Sequence, residues 1–413
     1  MENINWIGII IFFLTYVLIS FRRLSWLKLD RPAAVLLGAI AVVGFGVLNT
    51  KEALAAVNGE TILLLFGVMG IGAFLAIDGF FDNLESFLTS RFSNRVWLIS
   101  AIIWGSGILS AFITNDAVCL LGTPLVIKLI KKHNLPPLPF LLALATSANT
   151  GSVATLVGNP QNMLVGVLSN ISYKEYLFVG APIAAIALII NNILLVFAFR
   201  KDLVGFSILR GHKMSVQFSN KKGYIVTIGI IIVMSIAYIA GAELAWTAPA
   251  GLVILMLIHK KESHKIWEAM DWSLLLFFAG LFIVVEAFNR SGAPDWLFAH
   301  FPIIVGNSTD FFSWLKISTI FLAGSNIVSN VPFIILVKDQ LLSQPDSNAL
   351  WVLLAVVSTF AGNLVLMGSA ANVIVAEKAR ELGGIGFMDH LKVGLPLGIL
   401  TTFIGTVWIY CFF

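Results

Sequence analysis

Residues 145–165, ATSANTGSVATLVGNPQNMLV, form an apolar stretch that cannot be one unbroken helix. Pro160 has no N–H to give and biases Asn159 away from the helical conformation, and Gly158 loosens the chain just before them. A helix broken inside hydrocarbon frees amides and carbonyls that must find partners within the protein. The same stretch carries Asn149, Asn159, Gln161 and Asn162. Two readings are open: a proline kink packed against neighbouring helices, or a broken helix whose ends face a bound solute near mid-membrane.

Hydrocarbon is the right solvent to consider. Of the 413 residues 58% are hydrophobic and 12% are charged, against about 25% charged in a soluble domain. This composition implies an all-α polytopic membrane protein. The opening MENINWIGIIIFFLTYVLIS lacks a basic leader and a small-residue cleavage site, so we read it as a retained first span. Two cysteines, Cys119 and Cys411, are too few for a disulfide framework or a metal cage. The formal charge of +4 gives no reason to expect a nucleic-acid partner; its distribution along the chain is more informative.

Apolar runs predict spans near 4–20, 33–49, 60–80, 138–168 and 176–199, then near 223–241, 246–259, 271–289, 349–376 and 392–412. Two more apolar stretches, 96–131 and 314–341, are interrupted by the polar clusters Ile113-Thr-Asn-Asp116 and Ser325-Asn-Ile-Val-Ser-Asn330. Each is two spans or one re-entrant hairpin, and loop charge decides. With both re-entrant and both termini outside, 21 of the 26 Lys and Arg fall on the inner side, six of them between Arg200 and Lys222. Lys51, Lys174, Arg290, Lys316 and Lys338 remain outside. That asymmetry is the positive-inside pattern. A single crossing by 96–131 would put the six-charge loop outside.

The two halves echo each other. LLLFGVMG at 63–70 returns as LLLFFAGL at 274–281, and Ser110-x-x-x-Thr-Asn115 as Ser325-x-x-x-Ser-Asn330. Gly158-Asn-Pro-Gln-Asn162 returns as Gly368-Ser-Ala-Ala-Asn372, and Pro32-Ala-Ala as Pro249-Ala-Gly. The echoes keep their order at offsets of 210 to 217. We therefore expect a first inverted repeat at 1–199, a basic cytoplasmic connector at 200–222 and a second repeat at 223–413. Each repeat has five spans and one hairpin, and five is odd, so the second is upside down. Inverted repeats with broken helices point to a secondary transporter.

Symmetry would gather four polar clusters at one mid-membrane site. The candidate solute-binding residues are Asn115, Asn149, Gly158, Asn159, Gln161, Asn162, Ser325, Asn326, Asn330, Ser369 and Asn372, with hydroxyls from Thr114 and Ser329 nearby. A lone intramembrane Asn is often interhelical glue; four matched clusters favour a solute site. Asp116 is the one acid in the clusters, and no Arg or Lys accompanies it. A carboxylate at that depth pairs, protonates or binds a cation, which makes Asp116 a candidate proton carrier; the alternative is a cap for the returning helix. Asp78 and Glu286 sit toward span ends and read as structural. Cys119, one turn past the first tip, reads as an inert core thiol, with metalloid contact the alternative. There is no P-loop, no G-x-S-x-G, no H-E-x-x-H, and the six His lie away from the clusters in sequence. Neither enzymatic chemistry nor a cofactor or protein-bound metal is expected.

These clusters resemble those of the ion-transporter superfamily, which groups arsenite/antimonite efflux permeases, divalent-anion/sodium symporters, citrate carriers and related antiporters. In the symporters Ser-Asn-Thr motifs occupy both hairpin tips; here Thr114-Asn115-Asp116 and Ser329-Asn330-Val331 stand there. Asp116 departs from that pattern. Thr114-Asn-Asp-Ala-Val-Cys-Leu-Leu-Gly-Thr-Pro124 and Ser329-Asn-Val-Pro332 are more similar to the arsenite-efflux branch, while Gly158-Asn-Pro-Gln-Asn162 is equally similar to bacterial anion permeases. The resemblance implies an inner-membrane exporter of arsenite and antimonite, exchanging a small inorganic solute for a proton or Na⁺. The alternatives are an anion or di/tricarboxylate carrier of the same fold, and a channel. The resemblance also admits a soluble ATPase subunit as partner and leaves the oligomeric state open.

Overall fold

The computed structural model describes residues 4–20, 29–92, 94–203, 221–260, 262–300, 302, 310–344 and 347–413. Among these residues the elements are helices, with no strand. The chain begins with α1 (Trp6–Ser20), α2 (Arg31–Gly44), a short α3 (Thr50–Ala56), α4 (Gly59–Ile77) and α5 (Phe80–Arg91). A hairpin of α6 (Arg95–Ser110) and α7 (Asn115–His133) follows. Then come the interrupted pair α8 (Pro137–Ser152) and α9 (Pro160–Leu168), the long α10 (Tyr173–Ala198) and a turn, α11 (Arg200–Leu203).

The second half repeats that order. α12 (Lys221–Ile239), α13 (Leu244–His259), α14 (Ser263–Ala269), α15 (Trp272–Asn289) and α16 (Ala293–His300) stand where α1 to α5 stand. A second hairpin of α17 (Phe311–Val328) and α18 (Asn330–Leu342) leads to the interrupted pair α19 (Asn348–Leu364) and α20 (Ala370–Lys378), then to α21 (Phe387–Phe412). Six helices, α4, α10, α12, α15, α17 and α21, are long and apolar enough to cross a membrane alone, and α1, α2, α6, α13 and α19 are shorter apolar helices. Residues 204–220 of the expected connector lie outside the described residues.

Burial sorts the helices. Every residue of α8 from Pro139 to Ser152 and of α19 from Trp351 to Leu364 is buried, so the two broken helices form the centre. α12 instead exposes Ile225, Ile232, Val233 and Ile236, a face suited to lipid. The hairpins and the tail helices α10 and α21 pack around α8 and α19, and α4 and α15 flank them against α13 and α2.

The hairpins differ from each other at their tips. The first turns over Ala111–Ile113, and Thr114 caps α7, its Oγ1 accepting from the Ala117 N–H at 3.3 Å. Asp116 is therefore inside the first turn of α7 and is not its cap. In the second, α17 stays helical through Ser325 and Asn326, and the chain reverses at Ser329 alone. Ser329 has φ 70° and ψ 154°, a region almost reserved for glycine, and holding a serine there costs about 1–3 kcal/mol.

Candidate transport site

Asn149, on the last turns of α8, is the hub. Its Oδ1 accepts from Asn115 Nδ2 on α7 at 2.6 Å and from Ser369 Oγ at the second break at 3.0 Å. Its Nδ2 donates to Asn363 Oδ1 on α19 at 3.3 Å. Asn363 in turn donates to Thr150 Oγ1 at 3.0 Å and to the Thr146 carbonyl at 3.3 Å. One amide thus ties the first hairpin tip and both broken helices together, each partner at least nine-tenths buried.

The first break is pinned by its own polar side chains. An atom added at Gly158 Cα would lie 2.2 Å from the Ser152 carbonyl oxygen, so only glycine lets the chain fold back here. The Gly158 carbonyl accepts from the Asn115 N–H at 2.9 Å, fastening the break to the hairpin tip. Asn159 caps α9, accepting from the Asn162 N–H at 2.8 Å, and its Nδ2 reaches Ser152 Oγ at 2.8 Å. Asn162 Nδ2 donates to the Thr155 carbonyl at 2.9 Å and to the Tyr176 hydroxyl at 3.0 Å, while its Oδ1 accepts from Thr359 Oγ1 at 3.2 Å. Gln161 joins the same Thr359 hydroxyl at 3.4 Å. Asn159 thereby takes up the Asn162 and Met163 N–H groups at the start of α9.

The second half is left open. Ser325 Oγ, Asn326 Oδ1, Asn330 Oδ1 and Asn372 Oδ1 are buried and have no hydrogen-bond partner among the described residues. Two of these amides are fixed in orientation, because Asn372 Nδ2 donates to the Gly362 carbonyl at 2.8 Å and Asn326 Nδ2 to the Leu322 carbonyl at 3.0 Å. Turning either amide would set two oxygens against each other. Asn326 Oδ1 is directed at Gly368, 3.3 Å from where a Cβ would stand. The second hairpin and the second break therefore present acceptors, three of them amide carbonyls.

The repeats correspond closely enough to show where they diverge. Asn162 bonds the Ser152 carbonyl at 3.2 Å as Asn372 bonds that of Gly362. A Cβ on Gly180 would stand 2.7 Å from the Val153 carbonyl oxygen and 3.0 Å from the Tyr176 ring; on Gly394 it would stand 2.2 Å from that of Asn363 and 2.5 Å from the His390 ring. His390 thus takes the place of Tyr176. It is fully buried with both ring nitrogens unpartnered among the described residues, and it packs behind the second break although its sequence position is remote from every cluster.

Asp116 is 8% exposed and has no side-chain partner among the described residues. It lines two adjoining cavities. One, of about 30 Å³, is walled by Thr114, Met69, Met270 and Asp271. The other, of about 280 Å³, is lined by Asp30, Arg31, Asp271, Ile374 and Glu377. On the far side of the fold a cavity of about 280 Å³ is lined by Asn58, Glu286, Arg290, Ile335 and Lys338.

The structure joins Asn115, Asn149, Asn159, Gln161, Asn162 and Ser369 in one hydrogen-bonded network, with the Gly158 carbonyl in it; Ser325, Asn326, Asn330 and Asn372 stay outside it, their acceptors unpartnered among the described residues. Cys119 lies in the apolar core and lines neither Asp116 cavity. Asp78 is deeply buried, 3.1 Å from the Thr227 hydroxyl and 3.5 Å from His259 Nδ1. Glu286 pairs with Arg290, which also holds Glu52, each at 2.8 Å. Sequence reasoning missed Ser152, Thr359 and Asn363. Thr359 stands 210 residues after Asn149, the offset of the two breaks, and that signal was available.

Buried polar breaks facing each other across two inverted halves define a multi-pass membrane transporter. Residues 16–359 match the citrate transporter family, and the chain belongs to that family. It is 30% identical to the silicon efflux transporter LSI3 of Oryza sativa subsp. japonica, the alignment covering 96% of each chain. It is also 30% identical to a Dictyostelium discoideum protein whose transporter name, arsB, is itself provisional, over 92% of this chain and 87% of that one. Among solved structures the YdaH transporter of Alcanivorax borkumensis superposes with TM-score 0.57 at 14% identity, covering 98% of this chain and 96% of that one, and shares the fold.

Proposed function

We propose that this transporter exports small uncharged hydroxylated solutes, arsenous and antimonous acid, across the inner membrane in exchange for protons. The observation that carries the reading is the character of the free groups. The unpartnered buried atoms at the second hairpin and break are acceptors and one hydroxyl. A solute whose surface is O–H donors satisfies them, and an unsatisfied buried acceptor costs about 1–3 kcal/mol. A dicarboxylate ion brings acceptors only, and citrate brings three carboxylates against one hydroxyl donor. Either would also meet Asp30, Asp116, Asp271 and Glu377 against Arg31, the one cation among the described residues lining the cavity that leads to Asp116. Silicic acid has the same O–H chemistry, and the name of the rice relative favours it as a second solute.

Asp116 supplies the coupling in this reading. It is buried, and the cavity it lines brings Asp30, Asp271 and Glu377 as well as Arg31, so in this reading it holds a proton when the solute is absent and releases it when the site is filled. The loop charges orient the chain with both termini outside and the Asp116 cavities toward the cytoplasm.

The test is transport by purified protein in proteoliposomes under an imposed pH gradient, with antimonite, silicic acid and citrate as separate solutes. Gradient-driven movement of antimonite without citrate supports the reading. Citrate movement without antimonite contradicts it, and purely downhill antimonite flux indicates a channel. Asn330→Ala and Asn372→Ala should weaken apparent antimonite affinity by roughly five- to 150-fold, and unchanged affinity in both would remove these amides from the site.

A further inference from the structure

Asp271 caps α15, its Oδ1 accepting from the Leu274 N–H at 3.2 Å. Asn58 does the same for α4 in the other half, accepting from the Thr61 N–H at 2.8 Å. The two caps occupy corresponding places in the repeats, and each lines a cavity at its own end of the molecule. Capping therefore needs no charge at this position, since Asn and Asp cap about equally well. Capping thus leaves the charge of Asp271 without a required role. Asp116 shows the same one-sidedness, because Val331 follows Asn330 where Asp116 follows Asn115.

Asp271 and Asp116 line both cavities in common. Asp116 is 8% exposed, without a side-chain partner among the described residues, and turned into that space; Asp271 is half-buried. The larger cavity receives Asp30 and Arg31 from α2 and Glu377 from α20. The smaller receives Met69, Gly72 and Ala73 from α4, Ala269 from the end of α14 and Met270 from the turn before α15, with no further ionisable group among its described lining residues. Its volume of about 30 Å³ is enough for a water between the two carboxyl groups.

We propose that Asp271 is a second carboxylate of the proton path, exchanging a proton with Asp116 on one side and with inner water on the other. The proposal rests on the proton-exchange reading above. The step is a bare proton transfer: Asp116 gives its proton to the Asp271 carboxylate, directly or through one water, and Asp271 releases it to inner water and is again an anion. No other bond changes. Export would run the transfer in this direction after outside protons have reached Asp116.

The experiment compares wild type with Asp271→Asn and Asp271→Glu in everted vesicles, using antimonite as the probe. Two rates are read: accumulation driven by an imposed pH gradient, and antimonite exchange at equal pH on both sides across a range of pH. Asp271→Asn should lower gradient-driven accumulation about tenfold or more while equal-pH exchange falls much less, and the pH profile of exchange should lose one step. Asp271→Glu should recover a large part of the accumulation. Wild-type accumulation by Asp271→Asn overturns the role of Asp271 and leaves the proton reading standing. An equal fall in both rates, not recovered by Asp271→Glu, marks the residue as structural and also overturns it. A wild type indifferent to the pH gradient overturns the proton reading itself and this inference with it.

Discussion

Removing the Asn149 amide should loosen the whole centre. Asn149 is 1% exposed and makes three side-chain hydrogen bonds, to Asn115, Ser369 and Asn363, on three different elements. Interhelical hydrogen bonds in membrane proteins contribute about 0.6 kcal/mol each on average and up to about 1.7. Three of them bring roughly 2–5 kcal/mol. Asn149→Ala also strands Asn115 Nδ2, Ser369 Oγ and Asn363 Oδ1 where they were satisfied, so the upper part of that range is the better guide. Denaturant titration of the purified protein, followed by tryptophan fluorescence, gives the loss. The pair Asn115→Ala and Asn149→Ala should be non-additive by about 0.6–1.7 kcal/mol, because they share one bond. A loss below about 0.5 kcal/mol with additive pairs would refute the hub as drawn.

Other consequences follow from separate parts of the molecule. In a background without native cysteines, a cysteine at position 213 should react with an impermeant reagent only from the cytoplasmic side and one at Ser343 only from outside; the reverse at either position removes the re-entrant topology. Ser329→Gly should relieve the strained turn and raise stability by about 1 kcal/mol, while loosening the second tip enough to weaken antimonite affinity; a fall in stability would show that the serine is not strained. Glu85 on α5 is buried, which opposes its charge, yet hydrogen bonds from Lys132 and Lys128 at 2.8 and 2.9 Å outweigh this and hold its carboxyl below the usual range. A depressed carboxyl stabilises the fold above its unfolded pKa of about 4.3, and that contribution is lost as pH falls through the still lower folded value. Glu85→Gln should therefore cost about 1–2 kcal/mol at neutral pH and flatten the acid end of the stability curve; an unchanged curve would contradict the pairing.

Most of the fold could be read from the chain because membrane spans announce themselves by their apolar length. The first break was legible through Gly158 and Pro160. The second has no proline and was legible only through its echo; there Val365 turns extended, a 3₁₀ turn covers Leu366–Gly368 and Ser369 restarts the helix. The hub was half legible. Asn149 stood out in an apolar run, but Thr359 and Asn363 read as ordinary interior of α19, since a hydroxyl there can bond its own helix, as Thr359 also does to Ala355. Asp271 drew no attention in the sequence, where it stands at the start of an apolar run; the structure shows it as the cap of α15, and the neutral Asn58 caps α4 at the matching place.

The account turns on a proton moving against the solute through Asp116. Proteoliposomes loaded with antimonite and a trapped pH dye, diluted into antimonite-free buffer with potassium and valinomycin holding the potential at zero, measure this directly. Wild-type protein should acidify the lumen as antimonite leaves, at a rate that follows solute efflux. Asp116→Asn keeps the shape and hydrogen-bonding capacity of the side chain but cannot ionise, so it should release antimonite slowly or downhill with no proton signal. Antimonite efflux from wild-type vesicles without acidification, or full acidification in Asp116→Asn, would contradict the mechanism.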